Sequence, residues 1–240
     1  MKKKLKKVLM VIIATVILFL GVGLIYYYPM LLMPSVETGR VPNTDIYTVN
    51  AMGAVYLIKT DSGYMAIDAG LSAKGLQASL NEVMIDPNDI KWVFLTHSDG
   101  DHVNGLTLFP NAEIYMSEDE FLLINGTAKR SIFGGTSMPS GIDITKINLL
   151  SNNQELLFNG VAIECIKAPG HTPGSMVYLV EDKYLFTGDV LMLKNGNKNV
   201  HPYSMDKRIS TQTIEQLKEI IDDSLIILTS HYGLYYNNMN

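Results

Sequence analysis

The chain reads FLTHSDGDH at residues 94–102, and this stretch contains four potential metal ligands within six positions. They are His97, Asp99, Asp101 and His102. The stretch follows directly on an apolar run of β-strand type. Ligands at about 2.0 to 2.2 Å from an ion must converge from a rigid backbone, which the end of a buried strand provides. The stretch therefore predicts a metal centre at the edge of a β-sheet.

Three further candidate ligands follow other apolar runs in the same way. They are His171, Asp189 and His231, after the runs that end at Ala168, Thr187 and Thr229. The chain has five histidines in all, and chance would rarely place four of them at strand ends. We expect these side chains to join the first four at one edge of the fold.

The predicted strands are short, rich in Val, Ile, Tyr or Phe, and bounded by Gly, Asn, Asp or Pro. They cover residues 46–49, 54–59, 64–68, 92–96, 113–116, 161–168, 176–180, 184–187 and 225–229. Helical patterns lie between them, at Leu71 to Val83 and at Ser210 to Asp222, the second with Ser210 as N-cap. This succession predicts an α/β fold in which two sheets pack face to face and helices cover their outer faces.

In order and spacing, these motifs resemble the metallo-beta-lactamase superfamily, including its glyoxalase II-like hydrolases. The family pattern is H-x-H-x-D-H, a His in a G-H-T-x-G-S-like turn, then G-D, then a final His. This chain has His97, Asp101-His102, residues 170–175 (GHTPGS), Gly188-Asp189 and Ser230-His231. The resemblance implies a four-layer αββα sandwich with two divalent metal ions, for which we expect zinc.

The resemblance also implies a ligand for each metal position. The first ion would take His97, Asp99 and His171, the second would take Asp101, His102 and His231, and Asp189 would bridge them. Asp68, at the end of another predicted strand, is expected to form hydrogen bonds rather than to bind metal.

Asp99 departs from the pattern, because the family has a histidine at this position. A carboxylate makes the site less positive and favours harder ions, so manganese or iron are alternatives to zinc. The related flavodiiron proteins carry a carboxylate at the same position and hold two irons. If Asp99 is instead a solvated loop residue, one metal would bind mainly at Asp101, His102 and His231.

The function implied is that of a hydrolase that uses a binuclear centre and a metal-bound hydroxide. Its substrate would be a small ester, thioester, lactone or lactam, or a phosphodiester; a true beta-lactamase is one option among these. Asp101 would orient the nucleophile and so act catalytically. His201 and Tyr203 are candidates for substrate contact and proton donation, although we favour a surface-loop role for both. The alternatives are a di-iron redox or oxygen-handling protein and a non-catalytic, metal-binding module at the membrane surface.

The N-terminus predicts a membrane anchor, since five lysines within residues 2–7 precede an uncharged apolar run from Val8 to Tyr28. A spanning helix needs roughly 20 apolar residues. The positive-inside rule then places the catalytic domain on the extracytoplasmic side. Cleavage near Ser35, releasing a secreted domain, is the alternative. We predict a basic tail and signal anchor at 1–30, a juxtamembrane linker at 31–44 and the catalytic domain at 45–240.

The charge after the leader argues against nucleic acid as a partner. Beyond the five lysines the chain has 14 basic and 24 acidic side chains, whereas phosphate binding needs a basic surface. We expect a small-molecule substrate, contacted by the polar stretches 125–144 and 193–206. The single cysteine, Cys165, excludes an intramolecular disulfide, and the sequence leaves the oligomeric state open.

Overall fold

The computed structural model describes residues 2–31, 36–130, 136, 138–194, 197–222 and 224–236. The chain divides into two compact units, Met1–Pro34 and Ser35–Asn240. Parts of the predicted linker (residues 32–35) and of the two predicted substrate loops (131–135, 137 and 195–196) lie outside the described residues. The three-part division made from the sequence stays a prediction.

The first unit contains one long helix, α1 (Lys2–Leu31). Its segment Lys6–Ile25 has a mean hydropathy of 3.1 and is long and apolar enough to cross a membrane. No other helix among the described residues meets this criterion. A signal sequence near an N-terminus meets it as well, so α1 is a possible membrane anchor or signal sequence.

The second unit contains four helices and fifteen strands within the described residues. The helices are α2 (Ala73–Glu82), α3 (Gly100–Val103), α4 (Glu118–Ile124) and α5 (Lys207–Ile220). The strands are β1 (Gly39–Arg40), β2 (Ile46–Asn50), β3 (Ala54–Thr60), β4 (Gly63–Ile67), β5 (Ile90–Phe94), β6 (Glu113–Ser117), β7 (Asn148–Leu150), β8 (Gln154–Phe158), β9 (Val161–Lys167), β10 (Met176–Val180), β11 (Tyr184–Gly188), β12 (Met192–Lys194), β13 (Asn197–Asn199), β14 (Ile226–Thr229) and β15 (Leu234–Tyr236).

Two mixed sheets form the centre of this unit. One has the order β1-β2-β3-β4-β5-β6-β7, antiparallel as far as β4 and parallel from β4 to β7. The other has the order β15-β14-β11-β10-β9-β8, in which β11 and β14 are parallel. The carboxyl ends of neighbouring parallel strands meet at one edge, where ligands commonly bind in such sheets.

The two sheets pack against each other through a core to which both contribute. Tyr56 and Phe94 from the first sheet belong to the same buried cluster as Tyr178 and Phe186 from the second. The ring centroids of Tyr56 and Phe186 are 5.2 Å apart in an edge-on arrangement. Alternation along each strand sends every second side chain into this layer.

The remaining apolar side chains point to the outer faces, where helices cover them. Leu76 and Leu80 of α2 cluster with Val55 and Leu57 of β3. Ile214 and Leu217 of α5 cluster with strand residues of the second sheet. The predicted four-layer αββα sandwich is therefore confirmed.

Some predicted boundaries are wrong. Helix α5 begins at Lys207, and its N-cap is Asp206, whose carboxylate accepts a hydrogen bond from Ile209 N at 2.9 Å. Ser210 lies inside the helix, since the apolar stripe used for the prediction starts one turn late. Residues before 45 also join the sheet, since β1 pairs with β2 and Val41 is buried in the core; the predicted start of the catalytic domain stays a prediction.

Candidate metal centre

All seven candidate ligands meet at one edge of the sandwich, at the ends of β5, β9, β11 and β14. His97 follows β5, His171 follows β9, Asp189 follows β11 and His231 follows β14. Among the described residues, four groups of side chains offer ligand atoms within 4.8 Å of one another. They are His97-His102-Asp189, His97-Asp99-His171, Asp101-His102-His231 and His171-Asp189-His201.

Asp189 lies at the centre of these groups. Its Oδ2 is 3.7 Å from the Nε2 atoms of His102, His171 and His201, and 4.0 Å from that of His97. Its Oδ1 is 3.5 Å from His231 Nε2. Two ligands that each lie about 2.1 Å from one ion are at most about 4.2 Å apart. Each imidazole is therefore close enough to share an ion with Asp189.

We call Asp101, His102 and His231 the second half-site. His231 Nε2 lies 3.1 Å, and His102 Nε2 lies 3.8 Å, from Asp101 Oδ2. Asp101 is the more open of these side chains, at 29% exposed, whereas His102 is 1% exposed. A molecule entering the site would therefore meet the Asp101 carboxylate before it met the imidazoles.

Asp68 contacts His102 of the second half-site on the side away from the centre. It forms hydrogen bonds there, as expected from the sequence. Its Oδ2 lies 2.8 Å from His102 Nδ1, so Nδ1 carries the proton and Nε2 faces the centre. Asp68 also accepts hydrogen bonds from the backbone N and the hydroxyl of Thr96. Gly188 packs on the same threonine: it has φ +52, and a Cβ there would lie 2.5 Å from Thr96 Oγ1. This packing explains the glycine before Asp189.

We call His97, Asp99 and His171 the first half-site, and here the arrangement differs. Asp99 Oδ2 lies 3.2 Å from His171 Nε2 and 3.6 Å from His97 Nε2. Both Asp99 oxygens also accept hydrogen bonds from Arg130, at 2.8 Å from Nε and 2.5 Å from Nη2. The Arg130 side chain is 7% exposed and also donates from Nη1 to the backbone oxygen of His171 at 2.9 Å.

His201 also belongs to the cluster, so the expected surface-loop role is wrong for this residue. It is 2% exposed, and its ring centroid lies 4.9 Å from that of His171. Backbone hydrogen bonds from Met205 N to His171 O and from Asp206 N to Gly170 O tie the 201–206 segment to the His171 turn. Tyr203 is half-buried, and its ring centroid lies 5.8 Å from that of His201.

Two buried residues that position the site were missed from the sequence, Arg130 and Glu120. Glu120 accepts hydrogen bonds from Ser98 N at 2.7 Å, Ser98 Oγ at 2.6 Å and Thr172 Oγ1 at 2.6 Å, so it joins the first ligand loop to the His171 turn. Its sequence context, Ser117 three residues earlier at the start of α4, would have indicated a helix cap instead.

The pKa values of His102 and His231 shift in the opposite direction from those of His171 and His201. Burial alone would lower the pKa of His102, but the carboxylates of Asp68, Asp101 and Asp189 raise it well above its usual value. Burial is likewise outweighed at His231, whose pKa is raised chiefly by Asp189. In contrast, burial lowers the pKa of His171, and it lowers that of His201 to about 3.

Unsatisfied polar atoms show that the cluster fits metal ions. Eight buried side-chain nitrogen and oxygen atoms among the described residues have no hydrogen-bond partner, and six of them lie in this cluster. They are His97 Nε2, His102 Nε2, His171 Nδ1, Asp189 Oδ1 and both ring nitrogens of His201. Buried polar atoms are nearly always paired with protein, water or an ion. Imidazole and carboxylate together form a typical donor set for zinc.

Comparison with known proteins agrees with this geometry. A family model described as the metallo-beta-lactamase superfamily matches residues 50–231. A solved archaeal structure of that superfamily, from Sulfolobus tokodaii, aligns with a TM-score of 0.60 and 20% identity, covering 82% of this chain and 83% of that one. At this identity the structural likeness shows the fold alone.

Three curated relatives are similar over part of their length. The chain is 35% identical over 152 residues to YobT of Bacillus subtilis, covering 59% of this chain and 63% of that protein. It is 27% identical over 159 residues to a probable metallo-hydrolase of Methanocaldococcus jannaschii (65% and 64%). It is 28% identical over 130 residues to a probable polyketide biosynthesis zinc-dependent hydrolase of B. subtilis (53% and 49%). The matches thus span less than two thirds of each relative.

Proposed function

Because the chain belongs to the metallo-beta-lactamase superfamily, we propose that it is a metal-dependent hydrolase with a binuclear centre. Its substrate would be a small ester, thioester, lactone or lactam, or a phosphodiester. The relatives that are named as hydrolases, one of them zinc-dependent, support this class of reaction.

One observation carries the proposal: the Asp189 carboxylate is surrounded by five imidazoles at distances that allow shared ions. Asp189 itself is 5% exposed. A buried carboxylate and unpartnered imidazole nitrogens without an ion would leave costly unsatisfied groups in the interior. A centre filled by two cations removes that cost.

The residues that would hold the ions follow the two half-sites. His97 and His171 would bind the first ion, Asp101, His102 and His231 would bind the second, and Asp189 would bridge them. Asp99 is the seventh candidate, although both its oxygens also accept hydrogen bonds from Arg130. When bound, the ions would polarise the substrate oxygen and lower the pKa of a water molecule toward neutrality.

The protein side chains would orient and confine the reacting groups. Asp101 faces the opening and would align the attacking water through the oxygen that it turns toward His231. Tyr232 carries its phenolic proton at neutral pH, and burial raises its pKa to about 12, so it is a weaker acid than a free tyrosine. Tyr232 lies near His201, with ring centroids 5.9 Å apart, where it could protonate a leaving group.

The location of the enzyme is also part of the proposal. Helix α1 would anchor the chain in the membrane, with its lysines in the cytoplasm and the catalytic domain outside. Protease digestion of intact cells would test this orientation, since an outward-facing domain would be degraded while cytoplasmic markers survive. Recovery of the intact domain from the medium would favour cleavage of the leader instead.

The first experiment is to purify the full chain in detergent and measure its metal content and turnover together. We expect about two zinc or manganese ions per chain and hydrolysis within a panel of esters, thioesters, lactones, lactams and phosphodiesters. The variant Asp101→Asn should lower kcat/KM on the order of a hundredfold or more. Asp182→Asn is the matched control, because Asp182 is exposed and has φ 49, which asparagine tolerates.

Other outcomes would favour the alternatives. Two irons per chain with an iron-dependent absorption band would favour a redox protein. Metal binding without turnover of any substrate, by either the unaltered chain or Asp101→Asn, would favour the non-catalytic module.

A further inference from the structure

We propose that His201 is a ligand of the first metal ion, together with His171 and Asp189, and that Asp99 serves instead as the ion-pair partner of Arg130. This inference rests on the proposed metal centre. In the family pattern, a histidine of the first motif binds this ion, and Asp99 stands at that place in this chain. We assign the role of that histidine to His201, from a distant segment.

The position of His201 matches those of the other candidate ligands. Its Nε2 lies 3.7 Å from Asp189 Oδ2, the same distance as His102 Nε2 and His171 Nε2. It forms one of the four ligand groups, with His171 and Asp189. A residue that acted only as a remote proton donor would have no need to lie this close to the bridging carboxylate.

His201 also has both ring nitrogens buried without a hydrogen-bond partner. An imidazole normally has at least one nitrogen paired when it is 2% exposed. By contrast, His102 uses Nδ1 to contact Asp68 and leaves one nitrogen for the centre. An ion bound at Nε2 would give a partner to the His201 nitrogen that faces Asp189.

Asp99, on the other hand, already has partners for both oxygens. The Arg130 guanidinium contacts them in the two-pronged geometry that gives the strongest carboxylate pairing. The same guanidinium donates a hydrogen bond from Nη1 to the backbone oxygen of His171 at 2.9 Å. Arg130 is therefore fixed by two residues of the first half-site. An ion at Asp99 would share the carboxylate with this guanidinium, whose positive charge weakens the attraction between Asp99 and a cation.

The backbone explains why His201 can replace a ligand from the first motif. The hydrogen bonds from Met205 N to His171 O and from Asp206 N to Gly170 O hold its loop against the turn that carries His171. Gly170 also packs against helix α5, which follows this loop, since a Cβ there would lie 2.4 Å from Ser210 N. These two hydrogen bonds therefore join the segment that carries His201 to the turn that carries His171.

The test is a zinc competition titration with a chromophoric chelator, on the full chain in detergent. We expect two ions on the unaltered chain. His201→Ala should weaken one of them by at least about 10 to 100-fold, the loss reported even for residues that only support a ligand. Asp99→Asn should weaken it less, and Arg208→Gln, at an exposed arginine on α5, should leave both unchanged.

Two ions bound by His201→Ala with unaltered affinity, or a larger loss in Asp99→Asn than in His201→Ala, would overturn the assignment of His201 while leaving the binuclear centre intact. Absence of bound metal in the unaltered chain would overturn the proposed function itself, and this inference with it.

A second measurement needs no substitution, and so does not depend on a variant that folds. In the cobalt-substituted unaltered chain, proton NMR should show five strongly shifted imidazole N–H resonances, because all five histidines of the sequence would be ligands. Four or fewer shifted resonances would contradict the set of five histidine ligands and so overturn the assignment.

Discussion

The two half-sites of the centre are built in different ways. The second half-site takes Asp101 and His102 from adjacent positions and is braced by Asp68, at the end of the neighbouring strand β4. The first half-site draws on loops far apart in sequence, from Asp99 and Arg130 to His171 and His201. A motif of adjacent ligands leaves little freedom for change, whereas a half-site assembled from several loops allows one ligand to be exchanged for another.

The difference extends to charge. The second half-site has one carboxylate ligand and imidazoles whose pKa values are raised by nearby carboxylates. The first half-site has a carboxylate paired with a guanidinium, and burial lowers the pKa of His171 and of the neighbouring His201. We therefore expect the two ions to respond differently to substitution and to pH.

The largest effect should follow removal of the bridge that both half-sites share. Asp189→Asn should weaken both ions together and lower turnover on the order of a thousandfold, because a neutral amide no longer offsets the charge of two cations. Metal analysis and kcat/KM on the full chain would check this. Retention of one ion at full affinity would show that the half-sites are independent of Asp189.

A smaller and more selective effect is expected from Asp68→Asn. Asparagine can accept the Thr96 backbone hydrogen bond, but its amide nitrogen cannot accept the proton of His102 Nδ1. The affinity of the second ion should fall by about 10 to 100-fold, with the first ion less affected. Chelator competition would separate the two ions, and an equal loss at both would contradict the separation of the half-sites.

Lowering the pH should also act mainly on the second half-site. Its imidazoles have raised pKa values, so below those values the metal must displace a proton, and its affinity falls by about tenfold per pH unit for each proton. His171 and His201 have lowered pKa values, so near neutrality each is a neutral imidazole with one nitrogen lone pair already available. Titration calorimetry from about pH 8 to about pH 6 should show one ion weakening before the other.

The smallest effect is expected from Arg130→Gln. Loss of the guanidinium removes a positive charge near the first ion and frees Asp99, so that ion should bind severalfold more tightly, up to about tenfold. The metal-free chain should become less stable, since the Asp99 carboxylate loses its buried partner. Thermal unfolding without zinc would check the loss of stability, and the larger rise of the unfolding temperature on adding zinc would check the tighter binding. In this background, His201→Ala should lower the affinity less than it does in the unaltered chain, because Asp99 can then serve as ligand.

Most of the sandwich could be predicted from local patterns. Strand β10 (Met176–Val180) has the bounds expected from its apolar run, and the other predicted strands are displaced by one or two residues. The short strands β1, β7, β12, β13 and β15 were not predicted, because two or three residues carry little periodicity. The five-residue edge strand β8 was also not predicted; none of its side chains is fully buried. Helix α5 was placed one turn late for a related reason: its first turn is polar and is defined by the Asp206 cap.

The sequence alone determined the class of site, since His97, Asp101, His102, His171, Asp189 and His231 occur in a recognisable order at strand ends. Only the tertiary structure decided which groups surround Asp99 and where His201 lies. Arg130 comes 31 residues after Asp99, and His201 comes 30 residues after His171. Burial and pairing at such separations depend on how loops pack against one another, as in the backbone contacts between the 201–206 segment and the His171 turn. No local pattern of residues encodes those contacts.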